Sequence, residues 1–336
     1  MRSIKKLFAL FVSAATLICS TGCSLITIDG ENNGAASNYT GNGSIGLSVS
    51  TQNNPFFVTL VEGAQAAADE NGVQLVVVDA GDDAAKQVSD IEDLIAKNVS
   101  VLIVNPVDSD TVSSVVQDAV NKGVKVISAD RVVNGVDIDC QIASDNVLGA
   151  ELATQYIVDK IGEGAKVAEL QGTSGASAAI DRGAGFHNIA DAKLEVVASQ
   201  PADFDRTKGM TVMENMLQAN GDIKAVFAAN DEMALGAMEA IAASRKDILV
   251  VGFDATDDAI ASIKDGKMGA TIAQQPDLIG ATSVKTAIRL MNGETVEKAI
   301  PVEVTLITAE NAGSAGGSSC GCGDDCTCPE TCGCCK

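Results

Sequence analysis

Four ionisable side chains fall where apolar stretches of this chain give way to turns, and their charges cancel. Asp130 and Arg131 end the stretch that begins at Val124, Asp254 follows Val250-Val251-Gly252-Phe253, and Arg182 follows Ala178-Ala179-Ile180-Asp181. The amides Asn54, Asn105, Asn230 and Gln274 occupy similar positions, as do the rings of Phe56, Phe57, Phe204 and Phe253. Carboxylates accept hydrogen bonds from hydroxyl groups, guanidinium forks donate to them, and amides do both. Aromatic rings add flat apolar surface that can lie against C–H faces. Such a set suits an uncharged molecule rich in hydroxyls. Each feature alone has an ordinary explanation: a Phe at a helix start packs in the core, an Asp-Arg pair sits on the surface, and Asn beside Pro makes a turn. Their coincidence at so many turns argues for a polar small-molecule site.

The elements that must position these groups follow from hydropathy. Apolar, β-rich runs recur at Ile45 to Val49, Leu75 to Val78, Val101 to Val104, Val124 to Ser128, Val167 to Leu170, Val226 to Ala228 and Leu249 to Phe253. Between them lie segments with helical spacing, such as Phe57, Leu60, Val61, Ala64 and Ala68, or Val112, Val115, Val116, Ala119 and Val120. Continuous apolar strands alternating with amphipathic helices predict parallel sheets covered on both faces. The chain is therefore read as α/β, and its 336 residues exceed one sheet, so two similar doubly wound lobes are expected. In such sheets ligands bind outside the carboxyl ends of the strands, where the residues above stand. Pro55 suits the first helical position, with Asn54 as its cap.

Composition removes several function classes. Lys+Arg number 23 against 45 Asp+Glu, a formal charge of −22, which argues against a nucleic-acid partner. A single histidine, His187, excludes most histidine-centred triads and HExxH metal chemistry, and it reads as a surface residue of a helix. No GxxxxGK[ST] phosphate loop or GxSxG elbow is present, so an enzyme is disfavoured and no cofactor is required. Asp231-Glu232 read as the acidic opening of a helix, and Cys140 as a small buried hydrophobe.

The chain begins with Arg2, Lys5 and Lys6 and an apolar stretch from Leu7 to Ile18, the pattern of a signal peptide over 1–22. Ser20-Thr21-Gly22-Cys23 resembles the lipobox of bacterial lipoproteins, which implies a lipidated Cys23; cleavage nearby without lipidation is the alternative, leaving a soluble periplasmic protein. Loss of the leader leaves 20 basic against 45 acidic residues. Four of the six phenylalanines that remain are those named above. Residues 23–43, rich in Gly, Asn and Ser, read as a flexible tether to a membrane surface.

The segments Asn53-Asn54-Pro55-Phe56-Phe57, Asn105-Pro106-Val107-Asp108-Ser109-Asp110, Ser199-Gln200-Pro201-Ala202-Asp203-Phe204-Asp205-Arg206, Asn230-Asp231-Glu232-Met233-Ala234-Leu235-Gly236 and Ala270-Thr271-Ile272-Ala273-Gln274 resemble those of bacterial D-ribose-binding proteins. These are substrate-binding components of ABC importers, and the resemblance runs from Ser44 to about Ile307. It implies D-ribose contacts at Asn54, Phe56, Phe57, Asn105, Asp130, Arg131, Arg182, Phe204, Asn230, Asp254 and Gln274, with Phe253 beside the ring. It implies a type I periplasmic binding protein-like fold: an N-terminal lobe of 44–144 plus 275–303 and a C-terminal lobe of 145–274 plus 304–310, joined by three hinge crossings. Ribose would close the lobes, and the membrane permease of the importer, and for some members a chemoreceptor, would read the closed monomer. A binding protein for another small sugar, such as allose or a furanose-like signalling molecule, is the alternative. A sugar-responsive repressor of the same fold would need a helix-turn-helix where the leader stands.

Residues 311–336 form a Gly/Ser linker and a tail that holds Cys320, Cys322, Cys326, Cys328, Cys332, Cys334 and Cys335. Their CxC and CC spacing resembles metallothionein segments, which implies binding of a soft ion such as zinc or copper(I). A disulfide-tangled extracellular tail is the rival reading.

Overall fold

The computed structural model of the chain describes residues 41–313. The leader and tether over 1–40, Cys23 among them, and the cysteine-rich tail lie outside the described residues. No helix of the described residues is long and apolar enough to cross a membrane.

Two six-stranded sheets organise the chain. The first contains β1 (Ile45–Val49), β2 (Leu75–Asp79), β3 (Val101–Val104), β4 (Lys125–Ala129), β5 (Cys140–Ser144) and β11 (Ala299–Val302), in the order β11-β5-β4-β3-β1-β2. All of its pairings are parallel. The second contains β6 (Lys166–Gln171), β7 (Glu195–Pro201), β8 (Ala225–Ala228), β9 (Leu249–Val251), β10 (Ala270–Ala273) and β12 (Thr305–Thr308), in the order β12-β10-β9-β8-β6-β7. Here only the terminal strand is antiparallel. The central strands β1, β3, β8 and most of β6 are buried along their length, as a parallel sheet covered on both faces requires.

Each lobe reverses its strand order once, between β1 and β3 in one and between β6 and β8 in the other. At these switch points adjacent crossover helices leave on opposite faces and open a crevice at the strands' carboxyl ends. The chain crosses between the lobes three times: from β5 to α4 (Asn146–Ile161), from β10 to α9 (Pro276–Met291), and from β11 to β12. Helix α9 packs on α1 (Pro55–Glu70) of the first lobe, whereas α4 packs on α5 (Ser177–Lys193) and β10 of the second. The remaining helices are α2 (Ala84–Ala96), α3 (Ser113–Asn121), α6 (Arg206–Ala219), α7 (Asp231–Ser244) and α8 (Asp257–Lys264). Cys140 opens β5 and is buried among apolar residues. Five strands lie outside the apolar runs named above, β5, β7, β10, β11 and β12; β7 is an edge strand whose ends are exposed, so its pattern is diluted by polar residues.

The contact between α1 and α9 depends on a missing side chain. A Cβ at Gly280 would overlap the Leu60 carbonyl of α1, so the two helix backbones touch at that point. Alanine normally favours a helix interior over glycine by about 1 kcal/mol. In Gly280→Ala the clash should reverse that sign and lower the melting temperature, by an amount equivalent to the roughly 1–3 kcal/mol of an overpacked core. A melting temperature equal to or above that of the parent chain would show that α9 yields freely.

Candidate functional site

The first turn of α1 brings three of the candidate residues to the cleft. Asn54 caps the helix, its Oδ1 accepting from the Phe56 N–H at 2.9 Å, and Pro55 follows in the first turn. Phe56 and Phe57 then stand edge to face with centroids 5.1 Å apart. Both rings are buried.

Beyond β3, Asn105 binds three strand ends together. Its Oδ1 accepts from the Ser50 N–H, and its Nδ2 donates to the Ala129 carbonyl at 3.1 Å and to Asp130 Oδ2 at 3.2 Å. Both amide hydrogens are thereby engaged, and Asn105 aims Asp130 from behind. Asp130 adopts φ 65°, a strained conformation for a residue with a Cβ. This turn sends the Asp130 carboxylate and the Arg131 guanidinium towards the cleft together. Arg131 donates from Nη1 to the Pro106 carbonyl at 2.9 Å and lies between the rings of Phe57 and Phe204, 5.0 and 5.4 Å from their centroids. Phe57 belongs to the first lobe and Phe204 to the second, so this guanidinium bridges them.

In the second lobe Arg182 projects from α5. Its Nε donates to Asn146 Oδ1 at 2.8 Å and its Nη1 to the Ala229 carbonyl at 2.7 Å, with Asp254 Oδ1 at 3.6 Å. Its guanidinium stacks 3.9 Å over the Phe253 ring. Asp254 has φ 126°, and its carboxylate receives Gln274 Nε2 at 2.7 Å. Asn230 caps α7 and donates to the Phe204 carbonyl at 3.3 Å. Phe204 itself has φ 60°, and its ring covers Gly172, where any Cβ would overlap it.

These residues meet around one small cavity lined by Asn54, Phe56, Phe57, Asp130, Arg131, Ala178, Arg182, Phe204, Asn230 and Asp254. Nine of the twelve candidates thus form its wall. Asn105, Phe253 and Gln274 stand outside it, supporting Asp130, Arg182 and Asp254 in turn. Asp130 Oδ1 and Arg131 Nε are buried with no hydrogen-bond partner among the described residues. An adjoining cavity opens past Phe57 and Phe204, with Asp82, Asp203, Asp205 and Glu232 on its walls beside Arg131 and Arg206.

Burial pushes the Asp130 carboxyl above its ordinary range, opposed by Arg131 and Arg182, and lowers both arginines, opposed by the aspartates. Asp254 is raised further, by burial and by the nearby Asp231, against the pull of Arg182. Two residues behind the cavity have no part in the site as read from sequence: Asn146, which holds Arg182, and Asp231, whose charge acts on Asp254. Asp231 does open α7 as expected, but its carboxylate is wholly buried and accepts from the Thr256 N–H at 2.8 Å and the Thr271 hydroxyl at 2.7 Å. A helix-opening acid looks the same in sequence whether it faces water or the neighbouring strands. His187 pairs with Asp191 and the buried Glu169, apart from the cavity. No cluster of three metal-ligating side chains occurs among the described residues.

Two α/β lobes with switch points facing a shared, charge-balanced cavity define a bilobal binding protein. The chain belongs to the periplasmic binding protein domain family, whose model matches residues 45–295. It is 55% identical to the ribose import binding protein RbsB of Bacillus subtilis, over 79% of this chain and 87% of that protein. With the ribose import binding protein RbsB of Escherichia coli it shares 50% identity, over 79% of this chain and 90% of that one. Among solved structures it resembles an ABC transporter solute-binding protein from Bacillus halodurans with bound myo-inositol. That match has TM-score 0.78 and 34% identity and covers 82% of this chain and 97% of the other.

Burial raises the Asp231 pKa from 3.8 to about 7. A carboxyl held above its unfolded value favours folding while protonated, so its contribution is whole below about pH 4 and is lost as pH rises through about 7. The melting temperature of the parent chain should therefore fall relative to that of Asp231→Asn as pH is raised from 4 to 8. A gap that stays constant across this window would assign the burial of Asp231 no linkage to protons.

Proposed function

We propose that this chain is an extracytoplasmic solute-binding protein that captures D-ribose between its lobes and delivers it to an ABC importer. One observation carries the reading: two aspartates and two arginines, together neutral, are buried around one shared cavity, with Asp130 Oδ1 and Arg131 Nε free to bond a ligand there. Carboxylates accept from sugar hydroxyls and the guanidinium groups donate to them. The rings of Phe56, Phe57 and Phe204 cover the apolar faces of the sugar. In the adjoining cavity four acids outnumber two arginines, a balance that disfavours a phosphorylated sugar and favours the free sugar as ligand. The function of the ribose import relatives supports the same ligand.

Because the wall draws on both lobes, the full contact set exists only when the cleft is shut, and ligand stabilises that state. The permease then reads the closed surface. The reading contains no covalent step. It extends to lipid anchoring through Cys23 and to soft-metal binding by the tail cysteines. Truncation after Gly317 should abolish bound zinc or copper and spare the sugar site; equal metal content with and without the tail would reject that extension.

The test of the main reading is a thermal-shift panel of pentoses and hexoses, since a ligand bound by the folded state raises its melting temperature. Ribose should give the largest shift. A larger one from allose would favour the alternative specificity. Arg182→Ala removes a charged donor from the cavity wall, and a hydrogen bond to a charged group contributes about 1.5–3 kcal/mol, so affinity should fall by at least about tenfold. Unchanged affinity in calorimetry would move the ligand elsewhere.

A further inference from the structure

Three hydrogen bonds join the lobes at one flank of the cleft without lining the cavity. The Ser109 N–H, in the loop after β3, donates to the Gly175 carbonyl of the second lobe at 3.0 Å. The Ser177 N–H donates back to Ser109 Oγ at 3.2 Å, and the Val132 N–H donates to Ser177 Oγ at 2.9 Å. Ser109 is fully buried and Ser177 nearly so. Gly175 permits the approach: it has φ +85°, and a Cβ there would overlap Asp108 of the facing loop.

The location of these bonds gives them a role. Ser177 is the first residue of α5, the helix that carries Arg182, and Ala176 before it supplies no side-chain cap. The first N–H groups of a helix have no partner within it. Ser109 Oγ supplies one, to the Ser177 N–H, from the opposite lobe, so that N–H has this partner only while the cleft is closed. At the other end, Val132 directly follows Arg131, and Ser177 directly precedes Ala178 of the cavity wall.

We infer that Ser109 and Ser177 form a latch between the lobes that holds the closed state and sets the rate of ligand release without touching the ligand. This deepens the solute-binding reading and rests on it. Encounter takes place in the open state, where the latch is apart, whereas escape requires the latch to break. Loss of either hydroxyl should therefore speed release and leave association unchanged.

The experiment measures association and release of ribose by stopped-flow fluorescence, and compaction at saturating ribose by small-angle scattering, for the full chain and for Ser109→Ala, Ser177→Ala and the double variant. Each single substitution should raise the release rate about two- to tenfold, with the association rate and the melting temperature of the ligand-free protein unchanged. The double variant should approach the product of the two, because the hydroxyls serve separate bonds: Ser109 Oγ accepts from the Ser177 N–H and Ser177 Oγ from the Val132 N–H. Unchanged release in Ser177→Ala, or a slowed association rate, would overturn the latch, as would a lowered ligand-free melting temperature that accounts for the whole effect. If the parent chain ignores ribose, the ribose assignment fails, and the latch is read with whichever sugar of the panel closes the parent chain. If none does, both readings fall together.

Discussion

The cleft rests on four charges withdrawn from water. Asp130, Arg131, Arg182 and Asp254 are each at most 7% exposed, and an ion moved into protein interior costs several kcal/mol even after relaxation. Such a site persists only if the ions neutralise one another and their remaining donors and acceptors are met. The surroundings of the cavity follow from that requirement. Arg182 is met by Asn146, the Ala229 carbonyl and the Phe253 face, Asp254 by Gln274, and Asp130 by Asn105. The atoms left over, Asp130 Oδ1 and Arg131 Nε, are those a bound hydroxyl compound would satisfy.

Meeting the requirement has deformed the backbone. Asp130, Asp203, Phe204, Asp254 and Ala255 all have positive φ, and all five lie in loops that follow strands at the cleft. Non-glycine residues in such conformations cost of order 1–3 kcal/mol each and persist where the surrounding structure fixes them. Here the sheets provide the rigidity: the Asp130 and Asp254 N–H groups are held by the carbonyls of Ile142 and Ile272 on neighbouring strands. Two sheets of matching order thus present strained, charged loops to each other.

The charge balance also explains how a chain of such acidity binds a neutral molecule. Among the described residues the acids are largely at the surface, and on the walls of the outer cavity four acids outnumber two arginines. The inner cavity is neutral. A sugar without charge gains nothing from the outer field and everything from the local donors and acceptors, whereas an anion meets repulsion before it reaches them.

Much of this was legible from residue order. Apolar runs separated by amphipathic segments identify parallel sheets because strands buried on both faces cannot alternate. The ends of those runs identify Asp130, Arg131, Asp254 and the first turn of α1, since a doubly wound sheet has one end at which ligands bind. Arg182, Phe204, Asn230 and Gln274 come from the same reading of turns, and the resemblance to ribose-binding proteins gives the whole set one ligand. Local pattern could not divide the set into the nine residues that wall the cavity and the three that brace it from behind. That depends on which side chains other strands leave room for, as Asn105 shows by spending both amide hydrogens on β4 and its turn. Nor could it give the buried setting of Asp231, made by Thr256 and Thr271 from distant segments, or the serines that meet across the cleft. The sequence by itself determined the chemistry on offer and the kind of sheet that would present it, because both are written in residue type and period. Only the tertiary structure decided which groups lose water and which partners they find, because burial and hydrogen bonding are settled between segments far apart in the chain.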